Sequence, residues 1–328
     1  MRILKAALPA VVLLASVAGV QAQTVQTTLN YPLGVTGVAV DYVANRAYVL
    51  LPGYNSDGSN AVQVLDTQSN NVLTTYTVPV ASAIAVNVIT GKLYVAGTVS
   101  STVNASGTEA EVLELSQKTG AVLATIPVSP NVGTGIVSIV ADPLHYALYA
   151  ANATDNAITA INTKTNTVTS SIDLSGQTPA NVAMNAFSGV VYATLNDNQV
   201  AIYTPRTSAL KYVPYGSQTF GIAVDPIRNR EYVTDAVFDV PSVGILGSKG
   251  NVRASVATGL FPQGVDVDFV TNKIYVANEA DGTITEVDGG AASAIQTIAI
   301  TANTISVNPK EAIVYAVGST SVTIFSEE

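Results

Sequence analysis

Beyond residue 23 the chain alternates short apolar runs rich in Val, Ile, Thr and Tyr with clusters of Asn, Asp, Gly and Pro. Residues of the first kind favour a pleated, half-buried backbone, and those of the second supply the turns that end it. One stretch shows the grammar well. Gly264 to Asp268 alternates as a first strand, Thr271-Asn272 makes a turn, and Lys273 to Ala277 is a second strand. A loop at Glu279 to Gly282 leads to a third strand, Thr283 to Val287, and then a fourth, Ala294 to Ile300. The pattern predicts units of four short strands.

These units recur. An Asp or Asn stands seven residues before a Tyr at Asp41 and Tyr48, Asn87 and Tyr94, Asp142 and Tyr149, and Asn185 and Tyr192. The series continues with Asp225 and Tyr232, Asp268 and Tyr275, and Asn308 and Tyr315. Successive Tyr residues are 46, 55, 43, 40, 43 and 40 positions apart. A period of this length marks an architecture in which each unit buries its face against the next. The Asx side chain is expected to bond turn backbone and to lie roughly opposite the Tyr, whose ring packs between sheets. Both roles are architectural. The seventh unit stops after a third strand, Ser321 to Ser326, while Thr24 to Tyr31 precedes the first unit and belongs to none. That segment (TVQTTLNY) is worded like the fourth strands at Asn71 to Val78 and Ala121 to Val128. The expected fold is all-β: a seven-bladed β-propeller of four-stranded antiparallel blades over residues 23–328, a single domain whose last blade is closed by the N-terminal strand.

The repeat also has a familiar wording. GVDVDFVTNKIYVAN from Gly264, AIAVNVITGKLYVAG from Ala83 and GIAVDPIRNREYVTD from Gly221 resemble the YVTN family of β-propeller repeats. The resemblance runs through all seven units, with the fourth (VVYATLND from Val190) and fifth departing most. It implies an exported bacterial or archaeal propeller of the periplasm or cell envelope. Members share no single chemistry, so function has to come from the site.

Composition narrows the classes of function. Of 328 residues, 14 are Lys or Arg and 23 are Asp or Glu, a formal charge of −9. So acidic a chain is a poor match for nucleic acid. With no Cys and His145 as the only histidine, disulfides, Cys nucleophiles and poly-His metal sites are excluded. At the start, Arg2 and Lys5 precede an apolar run from Ala6 to Val20, followed by Val20-Gln21-Ala22. Residues 1–22 therefore read as a signal peptide, the mature chain begins at Gln23, and its location is periplasmic or secreted. The mature chain shows no transmembrane segment, and a monomer is expected.

Candidate chemistry is sparse. His145 falls in a turn, and no nucleophile elbow, Walker loop or zinc motif is present, so no catalytic residue is assigned. Loop charge says more. In a four-stranded meander the first and third turns share one face of the disc, and the second turn and the link to the next blade share the other. Ten basic residues fall on the first: Arg46, Lys92, Lys118, Lys164, Arg206, Arg228, Arg230, Lys249, Lys273 and Lys310. The other receives Asp57, Glu109, Asp155, Asp197, Asp235, Asp239, Glu279 and Asp281 with no Lys or Arg, a field suited to a cation or basic partner. The long Gly97 to Ala110 loop and the Asp235 to Pro241 loop would border such a site. Inside, Asp266 is the only carboxylate among Ala39, Ala85, Val140, Ala183, Ala223 and Ser306, the residues two before each Asx, on the innermost strands. It is expected to be solvated by a central channel, paired or bound to a ligand.

The leading reading is an exported, non-enzymatic propeller that binds a protein or small ligand of cationic character through its acidic loop face. One alternative is a metal-dependent lactone hydrolase or lyase, as related-looking propellers include such activities. It would need a divalent cation, Ca²⁺ or Mg²⁺, held by carboxylates and amides, with Asp266 as a natural ligand. Another is a structural protein of the cell envelope.

Overall fold

Alternating strand residues bury one side chain and expose the next only where a sheet has a free face; here most strands are covered on both faces, and the sheets stack around an axis. The computed structural model describes residues 23–99, 110–131 and 133–327. They form seven four-stranded antiparallel sheets, a seven-bladed β-propeller. Blade 1 comprises Gly37–Asp41, Arg46–Leu51, Asn60–Asp66 and Val72–Val78 from the axis outward. Blades 2 to 6 repeat the order. In blade 7, Thr304–Asn308, Ile313–Val317 and Ser321–Ser326 are completed at the outer edge by Val25–Asn30 from the start of the chain. Leu29 pairs with Val322 and Asn30 with Ser321, so the closing strand is antiparallel. The expected closure is present. Just beyond it, the Tyr31 hydroxyl donates to Gln63 Oε1 in blade 1 at 2.6 Å, tying the seam between last and first blades.

The strand bounds of blade 6 differ slightly from the expectation. Its strands are Pro262–Asp268, Lys273–Asn278, Thr283–Asp288 and Ser293–Ile298. The fourth ends two residues early because Ile300 N–H turns back to Ile298 C=O, and this sends the buried Ile300 side chain toward blade 7.

The core lies between blades. Each repeated Tyr is buried in the apolar cluster its blade shares with the next: Tyr48 against blade 2, Tyr94 against blade 3, and so on to Tyr315 against blade 1. A ring of this size is a large apolar contribution at every interface. The Asx residues work as turn caps. Asp41 Oδ1 accepts from Val43 and Ala44 N–H at 3.1 and 2.9 Å, and the same two bonds recur at Asn87, Asp142, Asn185, Asp225, Asp268 and Asn308. Turn amides that a strand ladder cannot reach are thereby satisfied. Asx and Tyr are not opposite each other, however. Register pairs Tyr48 with Ala39 and Tyr275 with Asp266, whereas Asp41 pairs with Arg46. The seven-residue spacing spans a four-residue turn and places the Tyr two positions further along the second strand.

Candidate functional site

Antiparallel order fixes two ends of the disc. Each innermost strand runs from the link end to the first-turn end, so the second turns gather with the links. Asp57, Asp155, Asp197, Asp239, Glu279 and Asp281 all stand in or beside second turns. Glu109 lies outside the described residues, as do most of the Gly97 to Ala110 loop and residues 1–22.

Local bonding separates these carboxylates. Asp57 is exposed, and its Oδ1 accepts from Ser59 N–H and Oγ at 2.9 and 2.6 Å, which hold its pKa below the usual carboxylate range. Asp155 is half-buried and receives the side-chain amides of Asn131 and Asn152 at 2.7 and 2.8 Å. Asp197 and Asp281 are exposed, the first bonded by Gln199 Nε2 and the second by Leu260 N–H. Asp239 is exposed beside Phe238, which is 80% exposed, and Val240. Asp235 departs from the expectation. It is the last residue of strand Arg230–Asp235, buried, with Oδ1 accepting from Ser217 and Gln218 N–H at 3.0 and 2.9 Å. Its side chain turns inward to anchor the link from blade 4, so it presents no charge to a ligand.

The axis holds a cavity of about 550 Å³ lined by the innermost strands of all seven blades. Asp266 is on its wall, as expected. Oδ1 accepts from Val267 N–H at 2.8 Å, and Oδ2 from Val307 N–H of blade 7 at 2.9 Å. Burial raises its pKa to about 6 while the two amides oppose that rise. Asp266 is thus a brace between blades 6 and 7, both oxygens already engaged. Nearby, Ser138 Oγ donates to Asn181 Oδ1 at 2.7 Å, joining blades 3 and 4 in the same manner. At the link end Gln263 Nε2 donates to Glu279 Oε2, so this acid reaches the cavity rim through an amide. At the first-turn end Tyr42 of blade 1 and Phe269 of blade 6 meet edge to face, 6.3 Å between centroids.

Among the described residues no three His, Asp or Glu side chains gather as metal ligands. The acids are spread one or two per blade over blades 1 and 3 to 6, and Asp57, Asp155 and Asp197 are bonded within or beside their own turns. His145 Nδ1 lies 3.0 Å from Asp142 Oδ2 in its turn, with no nucleophile bonded to it. Asn152, which matches a glycosylation sequon, is buried and bonded to Asp155.

Three features escaped the sequence pattern. Asp173, at the link end of Thr167–Asp173, adds an exposed carboxylate to that end. Glu231, Glu286 and Glu114 are buried, although nothing in their spacing distinguishes them from surface acids. The exposed Phe238 and Val240 were legible only as part of an irregular loop.

No family model matches the chain, so its likeness to YVTN repeats rests on the wording of the repeat, and no curated protein matches it either. Among solved structures it is similar to Kuenenia stuttgartiensis hydrazine synthase, with a TM-score of 0.70 and 16% identity over 91% of this chain and 96% of that one. At that identity the likeness shows the propeller fold and nothing of the chemistry.

Proposed function

We propose that the chain is an exported YVTN-type propeller that acts as a binding scaffold, taking a cationic protein segment or small cationic ligand on its link face. One observation carries the reading. The exposed carboxylates Asp57, Asp173, Asp197, Asp239 and Asp281 share the link end, and no exposed Lys or Arg among the described residues accompanies them there. Like charges on a rigid rim repel, and a bound cation relieves that repulsion. Phe238 and Val240 beside Asp239 offer apolar contact to the same ligand.

The test uses oligolysine as the ligand. Whatever binds only the folded state stabilises it, so oligolysine raises Tm, and the gain shrinks with added salt. Asp57→Asn, Asp197→Asn, Asp239→Asn and Asp281→Asn together reduce the shift. An unchanged Tm, or a shift indifferent to these substitutions, removes the proposed site.

A further inference from the structure

The turn that caps each innermost strand carries a second regularity, two residues after the Asx. There stand Val43, Ile89, Leu144, Phe187, Ile227 and Val270, in blades 1 to 6, with Lys310 in blade 7. All six apolar side chains are exposed, from 45% at Leu144 to 67% at Phe187. Their position is dictated by the cap: the Asx Oδ1 holds the N–H of this residue, so its side chain is turned away from the sheet at the apex of the turn. Because one bonding pattern is repeated around the disc, the six tips stand at one height around the axis. Apolar side chains shown singly need no explanation, but a ring of six does.

Charge completes the surface. Lys118, Lys164, Arg206 and Lys249 occupy the third turns of four consecutive blades, 2 to 5, and are exposed; Lys310 joins them from blade 7. Beside the buried Asp caps, the carboxylates at this end are half-buried and engaged: Asp66 with Arg46, Asp288 with the Gly290 and Ala291 amides, Glu311 with Asn308, and Glu327 with Thr271. No exposed carboxylate stands there among the described residues.

We propose that the first-turn face docks on an anionic lipid surface, the six apolar tips entering the interfacial layer and the basic arc meeting the headgroups. Equal height around a ring suits a plane better than a pocketed partner, and shallow apolar insertion combined with nearby cations is how peripheral proteins hold anionic bilayers. A chain of net charge −9 is repelled from such a surface in any other orientation, so docking is specific to this face. Two copies face to face would oppose cation to cation with no exposed carboxylate between them, which disfavours a second copy on the same surface.

The full chain is sedimented with vesicles of phosphatidylglycerol mixed with phosphatidylcholine, and with phosphatidylcholine vesicles alone. Binding is expected to the first only and to weaken with salt. Ile89→Ser, Phe187→Ser and Ile227→Ser together lower partitioning by roughly tenfold or more. Lys118→Glu, Lys164→Glu and Lys249→Glu together do the same, each set with an unchanged melting curve. Asp57→Asn with Asp197→Asn, on the opposite face, leaves binding intact. The proposal is overturned by no binding, by equal binding to both vesicles, or by binding that ignores the apolar set. It is also overturned if the lipid-free chain stacks into oligomers that the same apolar substitutions dissolve while vesicles bind none.

Discussion

Glu231 of blade 5 faces the hydroxyl of Tyr192 of blade 4 inside an otherwise apolar interface. Its equivalents in the other blades, one position before the repeated Tyr, are Ala47, Leu93, Leu148, Val191, Ile274 and Val314, all buried and all packed against the preceding blade. One carboxyl thus replaces an aliphatic group in the ring. Burial pushes its pKa from the ordinary 4.5 to about 7, and contact with Tyr192 offsets only part of that.

The sign of the linkage follows. An acid whose folded pKa is raised is accommodated fully below its unfolded pKa, and that stability is lost as pH rises through the folded value. Over this window the loss approaches about 3 kcal/mol, at roughly 1.4 kcal/mol per pKa unit. Glu231→Leu therefore raises stability at about pH 8 and changes it much less near pH 4.5, read from denaturant midpoints at both. A residual slope persists, because Glu327 is also raised to about 7, by burial and then by Asp268. Equal midpoints for wild type and Glu231→Leu at the higher pH would refute this account.

The closing strand gives a second expectation. Tyr31 is buried and its hydroxyl satisfies Gln63 Oε1 across the seam. Tyr31→Phe strands a buried amide oxygen and costs about 1–2 kcal/mol. Removing residues 24–31 exposes the edge of Ser321–Ser326 and costs several-fold more, a difference that calorimetry resolves.

A third concerns the left-handed residue that ends each first turn. In five blades Asn45, Gly91, Gly189, Asn229 and Asn272 occupy it with φ between 53° and 72°, residue types that tolerate it, but Tyr146 and Ala312 sit there at 55° and 52°. A methyl group in that conformation is strained by about 1 kcal/mol. Ala312→Asn relieves part of it and raises Tm; a fall in Tm shows that the Ala312 side chain contributes packing that outweighs the strain.

A fourth separates anchoring from charge. Asp235 is buried and its carboxylate holds the link amides of Ser217 and Gln218, so Asp235→Ala destabilises by about 2 kcal/mol. Asp239 is exposed and Asp239→Ala stays within about 0.5 kcal/mol of wild type. Urea titrations of the two variants decide the matter, and similar losses in both contradict the assignment.

The repeat, the four-strand unit and the closure by Thr24 to Tyr31 were all determined by the sequence alone. Strand and turn chemistry is local, and Tyr48 to Tyr315 report one environment seven times over. Which end of the disc each turn occupies also follows from counting strands. Side-chain direction does not. Asp235 and Asp239 belong to one loop in the sequence, yet one is buried in the link from blade 4 and the other is exposed. Asp266, legible as the odd carboxylate of its ring, is engaged by an amide 41 positions away on the next blade. The apolar residues two after six of the seven Asx are written as plainly as the Asx itself. Only the three-dimensional turn, which spends its polar groups on the cap, decides that they face outward.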